Sequence, residues 1–348
     1  MSAPDKPVPR PDKLVAAPAQ LVEDGVRHYG RLTDRPVVVN PLDAYAGASR
    51  ALRRLRLKEW VGFTLTHPDL YCSMIMQDAN YLASSEIYAY NVRSGRQYGH
   101  AANAAGGSLG LPMALHGSRC SFTRKRYALD YDFSGKTTYR IHVDMAATAK
   151  VPAFSGDLEL GVPDASPALS VSSRLPGGAM YTHKRIFPAS GSIRIGDDEF
   201  GFDPGRDFAI IDEHKTFLPY RTTWVWGTFG QLTEDGYVGA NFVDRPELPG
   251  EAEESGLWTP DEVEALADIT FTPASDNPLA PWHIASADGR LDVTFEPEGR
   301  KTVRHQLGLF AIDYFQLYGH YRGTIRGATR AYSIEGVHGV CESMRARL

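Results

Sequence analysis

Cysteine is scarce in this 348-residue sequence: Cys72, Cys120 and Cys341 lie far apart and are odd in number. No C-x-x-C pair occurs, which argues against a zinc ribbon or a disulfide framework and leaves buried, reduced thiols as the expectation. No apolar run approaches the roughly 18 residues that a membrane-spanning helix requires. The start, MSAPDKPVPRPDKLVAAPAQ, is broken by prolines and lacks the apolar stretch of a signal peptide, so a cytoplasmic protein is expected. Charge of one sign is also missing. With 37 basic and 42 acidic residues the net charge is −5, which argues against nucleic acid or an anionic membrane as partner. Neither a G-x-S-x-G elbow nor a Walker sequence is present. The run Gly106-Gly107-Ser108-Leu109-Gly110 lacks G-x-G-x-x-G spacing and Pro112 would block a following helix, so it reads as a loop.

What is abundant is turn and strand. The chain carries 33 glycines and 23 prolines and is 43% hydrophobic, a balance that fits an all-β protein better than a helical one. Its length suffices for two domains, each with its own core. Residues 1–30, rich in Pro, Lys and Ala, are expected to form a flexible arm. Gly47 to Leu57 suggests one short basic helix. Alternating segments follow from Leu57 onward: Leu57 to Leu65, Tyr71 to Gln77, Ala83 to Tyr90, Ser118 to Asp132, Lys136 to Ala146, Leu169 to Ser173 and Met180 to Phe187. Ser190 to Phe202 reads as a hairpin around Gly196-Asp197. Thr259-Pro260-Asp261-Glu262 has the cap, the proline and the acid of a helix start, predicting a second helix to about Asp268. Strand count and turn spacing indicate a barrel or a sandwich, with domains expected at 31–195 and 196–348.

The densest chemistry lies in Asp207 to Gly230, DFAIIDEHKTFLPYRTTWVWGTFG, which reads as two strands facing each other across a short turn. Ile210, Asp212 and His214 share one face, while Ile211, Glu213 and Lys215 take the other. Tyr220, Thr222, Trp224 and Trp226 share a face opposite Arg221. Burying so many ionisable groups is costly unless each is paired. Asp212 is the first catalytic candidate, as an acid whose pKa an apolar pocket would raise, and as a salt-bridged partner of Lys215 or Arg221 on the structural reading. His214, two residues on and about 7 Å away at Cα, would be its partner or a water-positioning base. Trp224 and Trp226, with Tyr220, would wall an apolar pocket and face a developing cation, or else fill a core. Glu59, beside Trp60 on the opposite face, reads as a tie between strands. Arg221 is expected to pair with Glu213 or another carboxylate. No metal is expected, since only His183 could join Asp212 and His214 as a third ligand.

Several stretches resemble a known family. Leu55-Arg56-Leu57-Lys58-Glu59-Trp60 with the following T-H-P-D, the central IDEHKTFLPYRTTWVWG, and the closing YGHYRGTIRG with IEGVHGVCESMRARL are similar to the bacterial family called domain of unknown function 2804. Here the chain ends Ala346-Arg347-Leu348, without that family's final aromatic. More distantly, Tyr181-Thr182-His183, Ser190-Gly191 and Asp212 with His214 resemble the carotenoid 1,2-hydratase, tocopherol cyclase and AttH-like group, although Asp212-Glu213-His214-Lys215 stands where that group has Asp-His-Glu-Trp. This resemblance implies two lipocalin-like (calycin-like) antiparallel β-barrel domains. It also implies cofactor-free chemistry on apolar, often isoprenoid, molecules, and adds Tyr181 and His183 to the expected substrate-binding residues.

Two functions are therefore carried forward. One is a hydratase, isomerase or cyclase without cofactor, acting on a small apolar molecule. The other is a carrier or sensor that retains a lipid-like ligand unchanged, because such barrels bind ligands without transforming them and fold does not dictate function. A homodimer is compatible with either.

Overall fold

Alternation dictates the fold, because strands with one apolar face must stack that face on another layer. The computed structural model describes residues 13–348. It consists almost wholly of antiparallel strands, with one α-helix at Gly47–Arg56 and a single 3-10 turn at Pro41–Ala44. Two large sheets organise the chain, forming a nearly closed barrel and a half-barrel. No helix among the described residues is long and apolar enough to cross a membrane.

In the first sheet the strand Phe208–Phe217 lies between Leu57–His67 and Gly178–Ile195, and the strands on either side complete the barrel. The long strand Gly178–Ile195 is its spine. One half pairs with Leu169–Leu175 and Phe208–Phe217, and the other with Phe154–Gly161 and Asp198–Phe202, the second of these being the hairpin expected around Gly196. Gly191 sits within this strand at φ 105°, and a Cβ there would lie 2.2 Å from the Asp157 carbonyl, so only glycine fits. Inward residues such as Phe63, Met74, Leu129, Tyr131 and Ile141 fill the barrel. The second sheet is built around Arg221–Thr233, Ala331–Arg347, Phe310–Arg326 and Leu291–Leu307, with Phe229, Phe242, Phe295 and Tyr321 at its core. Two further apolar clusters join the sheets: Tyr71, Tyr88, Trp226, Tyr318 and Val340 in one, Leu175, Phe208, Ile210, Tyr237 and Trp258 in the other.

The structure departs from several expectations. The strands of Asp207 to Gly230 do not face each other as a hairpin: Phe208–Phe217 belongs to the first sheet and Arg221–Thr233 to the second. Residues 218–220 carry the chain between sheets, so the change of sheet falls there, and Phe208–Phe217, although past residue 195, belongs to the first sheet. The expected helix after Thr259 is a turn between the short strands Gly256–Trp258 and Val263–Ala265. Thr259 Oγ1 accepts from Glu262 N (3.2 Å), the bond a helix cap would make, but Trp258, Val263 and Leu266 are buried on the sheet and hold the chain extended. The expected arm lies partly outside the described residues. From residue 13 onward it packs, with Leu21 buried against Leu32, Val39 and Tyr181, and Arg27 buried as well. All three cysteines are buried and free.

Candidate active site

Three strands of the first sheet set the site by register alone. Gly62, Asp212 and Lys184 lie abreast, and one step along, Trp60, His214 and Thr182 lie abreast. Alternation then places Asp212, His214, Lys184, Thr182 and Trp60 on one face, the face turned toward the second sheet. Lys184 Nζ donates to Asp212 Oδ1 at 2.5 Å. His214 Nε2 is 3.3 Å from the same oxygen and 2.8 Å from Thr182 Oγ1. The Trp60 ring stacks on the His214 imidazole at 4.3 Å, and its Nε1–H points at Asp212 Oδ2 from 3.3 Å. A Cβ on Gly62 would lie 2.7 Å from the Met74 carbonyl, so the residue beside Asp212 has no side chain.

The second sheet closes the site. Lys184 Nζ sits 4.9 Å from the Trp226 ring. Trp226 Nε1 donates to Asn241 Oδ1 (2.9 Å), and Asn241 in turn holds the Glu254 carbonyl (2.8 Å). This delivers the Glu254 carboxylate, whose Oε1 is 3.2 Å from Arg245 Nη1. Glu254 Oε2 stands 3.5 Å from Lys184 Nζ and 3.6 Å from His214 Nε2, too far for well-formed hydrogen bonds. Glu342 accepts from Trp224 Nε1 (2.9 Å), Tyr314 OH (2.8 Å) and Gln316 Nε2 (3.0 Å). Tyr88 OH donates to Gln316 Oε1 and fixes the orientation of that amide.

Two cavities adjoin these groups. One, of about 110 Å³, is lined by Lys184, His214, Glu254 and Arg221, and the other, of about 270 Å³, by Phe63, Met74, Tyr88, Ile312 and Tyr314. Trp60, Asp212, Trp224, Trp226 and Glu342 line both. The Asp212 side chain is 31% exposed, and so meets whatever occupies them.

The charges settle unequally. Burial raises the Asp212 carboxyl, but Lys184 and His214 outweigh it and hold the group at about 2. Burial lowers His214, yet Asp212 and Glu254 more than compensate, so its imidazole is raised. Lys184 is raised by Asp212 and Glu254 against its own burial. Glu342 goes the other way: burial raises it, and the hydrogen bonds from Trp224, Tyr314 and Gln316 only partly offset that. The expectation that an apolar pocket would raise Asp212 therefore fails, because the lysine on the neighbouring strand wins.

The sequence pattern of the family described as Domain of unknown function (DUF2804) matches residues 19–348. The chain belongs to this family. No curated protein matches it. The DUF2804 chain is similar in structure to CghA with Sch210972 (TM-score 0.54, 10% identity, 84% of this chain and 88% of that one). It is also similar to kievitone hydratase from Nectria haematococca (TM-score 0.50, 10% identity, 83% and 88%). At such identities the likeness is one of fold.

Of the residues expected from the sequence, this DUF2804 structure brings Asp212, His214, Trp224 and Trp226 together. It leaves out three. Tyr220 is 43% exposed and donates to the Leu309 carbonyl (2.6 Å), at the end of its strand and off the cavity wall. Tyr181 and His183 lie on the far face of Gly178–Ile195, opposite Thr182 and Lys184. Tyr181 packs against Leu21 and Leu32, and His183 sits abreast of Glu213. His183 therefore cannot join Asp212 and His214 around a metal. Asp212 pairs with Lys184, not Lys215 or Arg221, while Glu59 does tie strand to strand through Lys215 at 2.5 Å. Arg221 does not pair with Glu213, which Arg35 holds. Lys184, Glu254 and Glu342 were missed. Glu342 had a signal, being an acid on the same strand face as Val340, Met344 and Ala346. Glu254 had none, since it stands among the acids of the loop EAEES.

Proposed function

We propose that the chain is an acid/base enzyme that adds water to, removes water from, or rearranges a small, largely apolar molecule held between the two sheets. The observation that carries this reading is a pair of carboxyls of opposed proton affinity on a shared cavity wall. Asp212 is stripped of its proton by Lys184 and His214, and Glu342 is inclined to keep one. Pairs of titratable groups pushed apart in this way mark a proton acceptor and a proton donor. Glu342 would deliver its proton to one carbon of a polarised double bond while Asp212 takes a proton from the water adding to the other; the reverse is elimination. Excluding the water leaves a double-bond shift or a ring closure. His214 and Lys184 stabilise the charge on Asp212. The indoles of Trp60, Trp224 and Trp226 exclude bulk water and offer π faces to a developing cation. These side chains supply both halves of a proton transfer, so no cofactor is required. That a hydratase shares the fold accords with this reading.

The experiment is mass spectrometry of small molecules released from the purified protein and from Asp212→Asn. A ligand retained by the variant and recovered in altered form, or not at all, from the unaltered protein is the expected result. Recovery of the same unaltered ligand from both would mean a carrier.

A further inference from the structure

The smaller cavity holds charges that balance except at its mouth. Lys184 is matched by Asp212, His214 lies between Asp212 and Glu254, and Arg245 is held by Glu253 (Nε to Oε2, 3.0 Å) and Glu254. Lys184, His214 and Arg245 thus face Asp212, Glu254 and, from outside the lining, Glu253, while Glu342, the other carboxyl of the lining, takes its hydrogen bonds from Trp224, Tyr314 and Gln316. Arg221, the remaining cation of the lining, forms no ion pair among the described residues. It lies directly across the strand pair from Arg347, a like-charge arrangement that costs stability unless something negative sits near it. Arg347 turns its guanidinium to Gln306 Oε1 (3.4 Å) and the Gly308 carbonyl (3.3 Å). A third guanidinium lies outside the lining but bonds to its backbone. Arg56, at the end of the helix, donates to the carbonyls of Leu218 (2.8 Å) and Gly177 (3.3 Å), and Leu218 and Pro176 line the mouth. All this occurs on a protein of net charge −5.

We infer that the mouth of the smaller cavity receives an anionic group of the ligand, so that the molecule handled between the sheets is an amphipathic organic anion. Its oxyanion, a carboxylate or one of similar charge, meets Arg221 at the mouth, where Thr222 and Thr223 also belong to the lining. Its apolar body passes the wall of Trp60, Trp224 and Trp226 into the larger cavity, among Ile75, Val303, Ile312 and Met344. The carbons between head and body then lie against Asp212 and Glu342, the two carboxyl groups among the residues that line both cavities. A planar guanidinium suits this task because its fork matches a carboxylate. An anionic head also fixes which carbons reach the two carboxyls, a selectivity that a purely apolar pocket lacks.

The inference rests on the reading that these cavities hold the substrate, but the two fail separately. Loss of anion selectivity leaves the Asp212 and Glu342 chemistry standing, and a protein that transforms nothing can still select anions. The probes are 4-cyclohexylbutanoate and its neutral counterpart 4-cyclohexylbutan-1-ol, titrated by calorimetry and by quenching of the cavity tryptophans. In the unaltered protein the carboxylate is expected to bind about tenfold more tightly, the factor that one charge-assisted hydrogen bond supplies. In Arg221→Gln the advantage falls to within about twofold while the alcohol binds as before, and Arg221→Lys, which keeps the charge, retains part of it. Arg221 is exposed, so both variants are expected to keep the parent unfolding midpoint. Equal affinity for acid and alcohol in the unaltered protein overturns the inference. So does a preference that survives in Arg221→Gln, or absence of carboxylate binding up to millimolar concentration.

Discussion

The two faces of the strand Phe208–Phe217 carry similar residues to opposite ends. On one face Glu213 is gripped by Arg35 through Nε (2.7 Å) and Nη2 (2.8 Å), and the remaining guanidinium hydrogens reach the carbonyls of Pro36, Val37 and Met113. Both side chains are 0% exposed. Every donor of Arg35 is used, and the group has nothing left to offer a ligand. On the other face, Asp212 is bound just as closely to Lys184 and also meets His214, but the network is left incomplete. Glu254 Oε2 lacks a hydrogen bond of normal length, and Asp212 opens onto two cavities. Both faces desolvate charge, which is expensive. Only the one that stops short of full pairing retains chemical capacity. Completeness of hydrogen bonding, rather than the presence of acids and imidazoles, separates a buried tie from a candidate site.

The sharpest way to break that comparison is at Arg35. Arg35→Met leaves Glu213 buried with no partner, and the expected cost is about 3–5 kcal/mol of unfolding free energy, read by urea denaturation. Ligand binding in whatever fraction stays folded should be unchanged, since the pair faces away from the cavities. A loss below about 1 kcal/mol would mean that water reaches Glu213 and that the two faces are not so different. Next comes Glu342→Gln. Turnover should fall by about 10²–10⁴-fold, the usual worth of a general acid. Stability should fall by about 1–3 kcal/mol, less than at Arg35, because an amide oxygen can still accept from Trp224 while its NH2 faces the Gln316 amide donor. If the variant instead unfolds as readily as Arg35→Met, Glu342 belongs with the structural ties.

Much of this contrast was legible in the strand itself. The period-two pattern from Ile210 to Lys215 separates Asp212 and His214 from Glu213 and Lys215 with no knowledge of the fold, and the structure keeps that division. What the pattern cannot carry is the identity of neighbouring strands. Closeness in sequence suggested that Phe208–Phe217 pairs with Arg221–Thr233, but the three residues between them cross to another sheet. The partners that decide the electrostatics come instead from 28 and 152 residues away, Lys184 and Trp60, and nothing local specifies their register. The same limit explains Tyr181 and His183. A local resemblance named them, yet one step of alternation turned them away and brought Lys184 in. At Thr259 the local signal was read as a helix start; the cap-type hydrogen bond forms, but burial of Trp258 and Val263 puts it in a turn between strands.

The smallest expected effect tests the comparison through pH. The cavity face carries a shifted imidazole, that of His214. Its folded pKa is raised, so its stabilising contribution is complete below the unfolded value of about 6.5 and is lost as pH climbs through the folded one. Asp212 has the opposite sign. Held at about 2, it contributes fully above its unfolded value of about 3.8 and fades as pH falls toward the folded one. The perturbed histidines elsewhere, His67, His116, His183 and His338, are all lowered, chiefly by burial. Their contributions are therefore lost on the acid side and cannot imitate a decline above pH 6.5. Unfolding free energy measured from pH 5 to 8, short of the range in which the raised thiols of Cys72, Cys120 and Cys341 take over, should drift downward above pH 6.5, by a fraction of the loss at Arg35. In His214→Gln that drift should flatten. An identical slope in His214→Gln and the parent would show that the imidazole holds its proton no more tightly in the folded chain than in the unfolded one. The cavity face would then be as electrostatically settled as its neighbour.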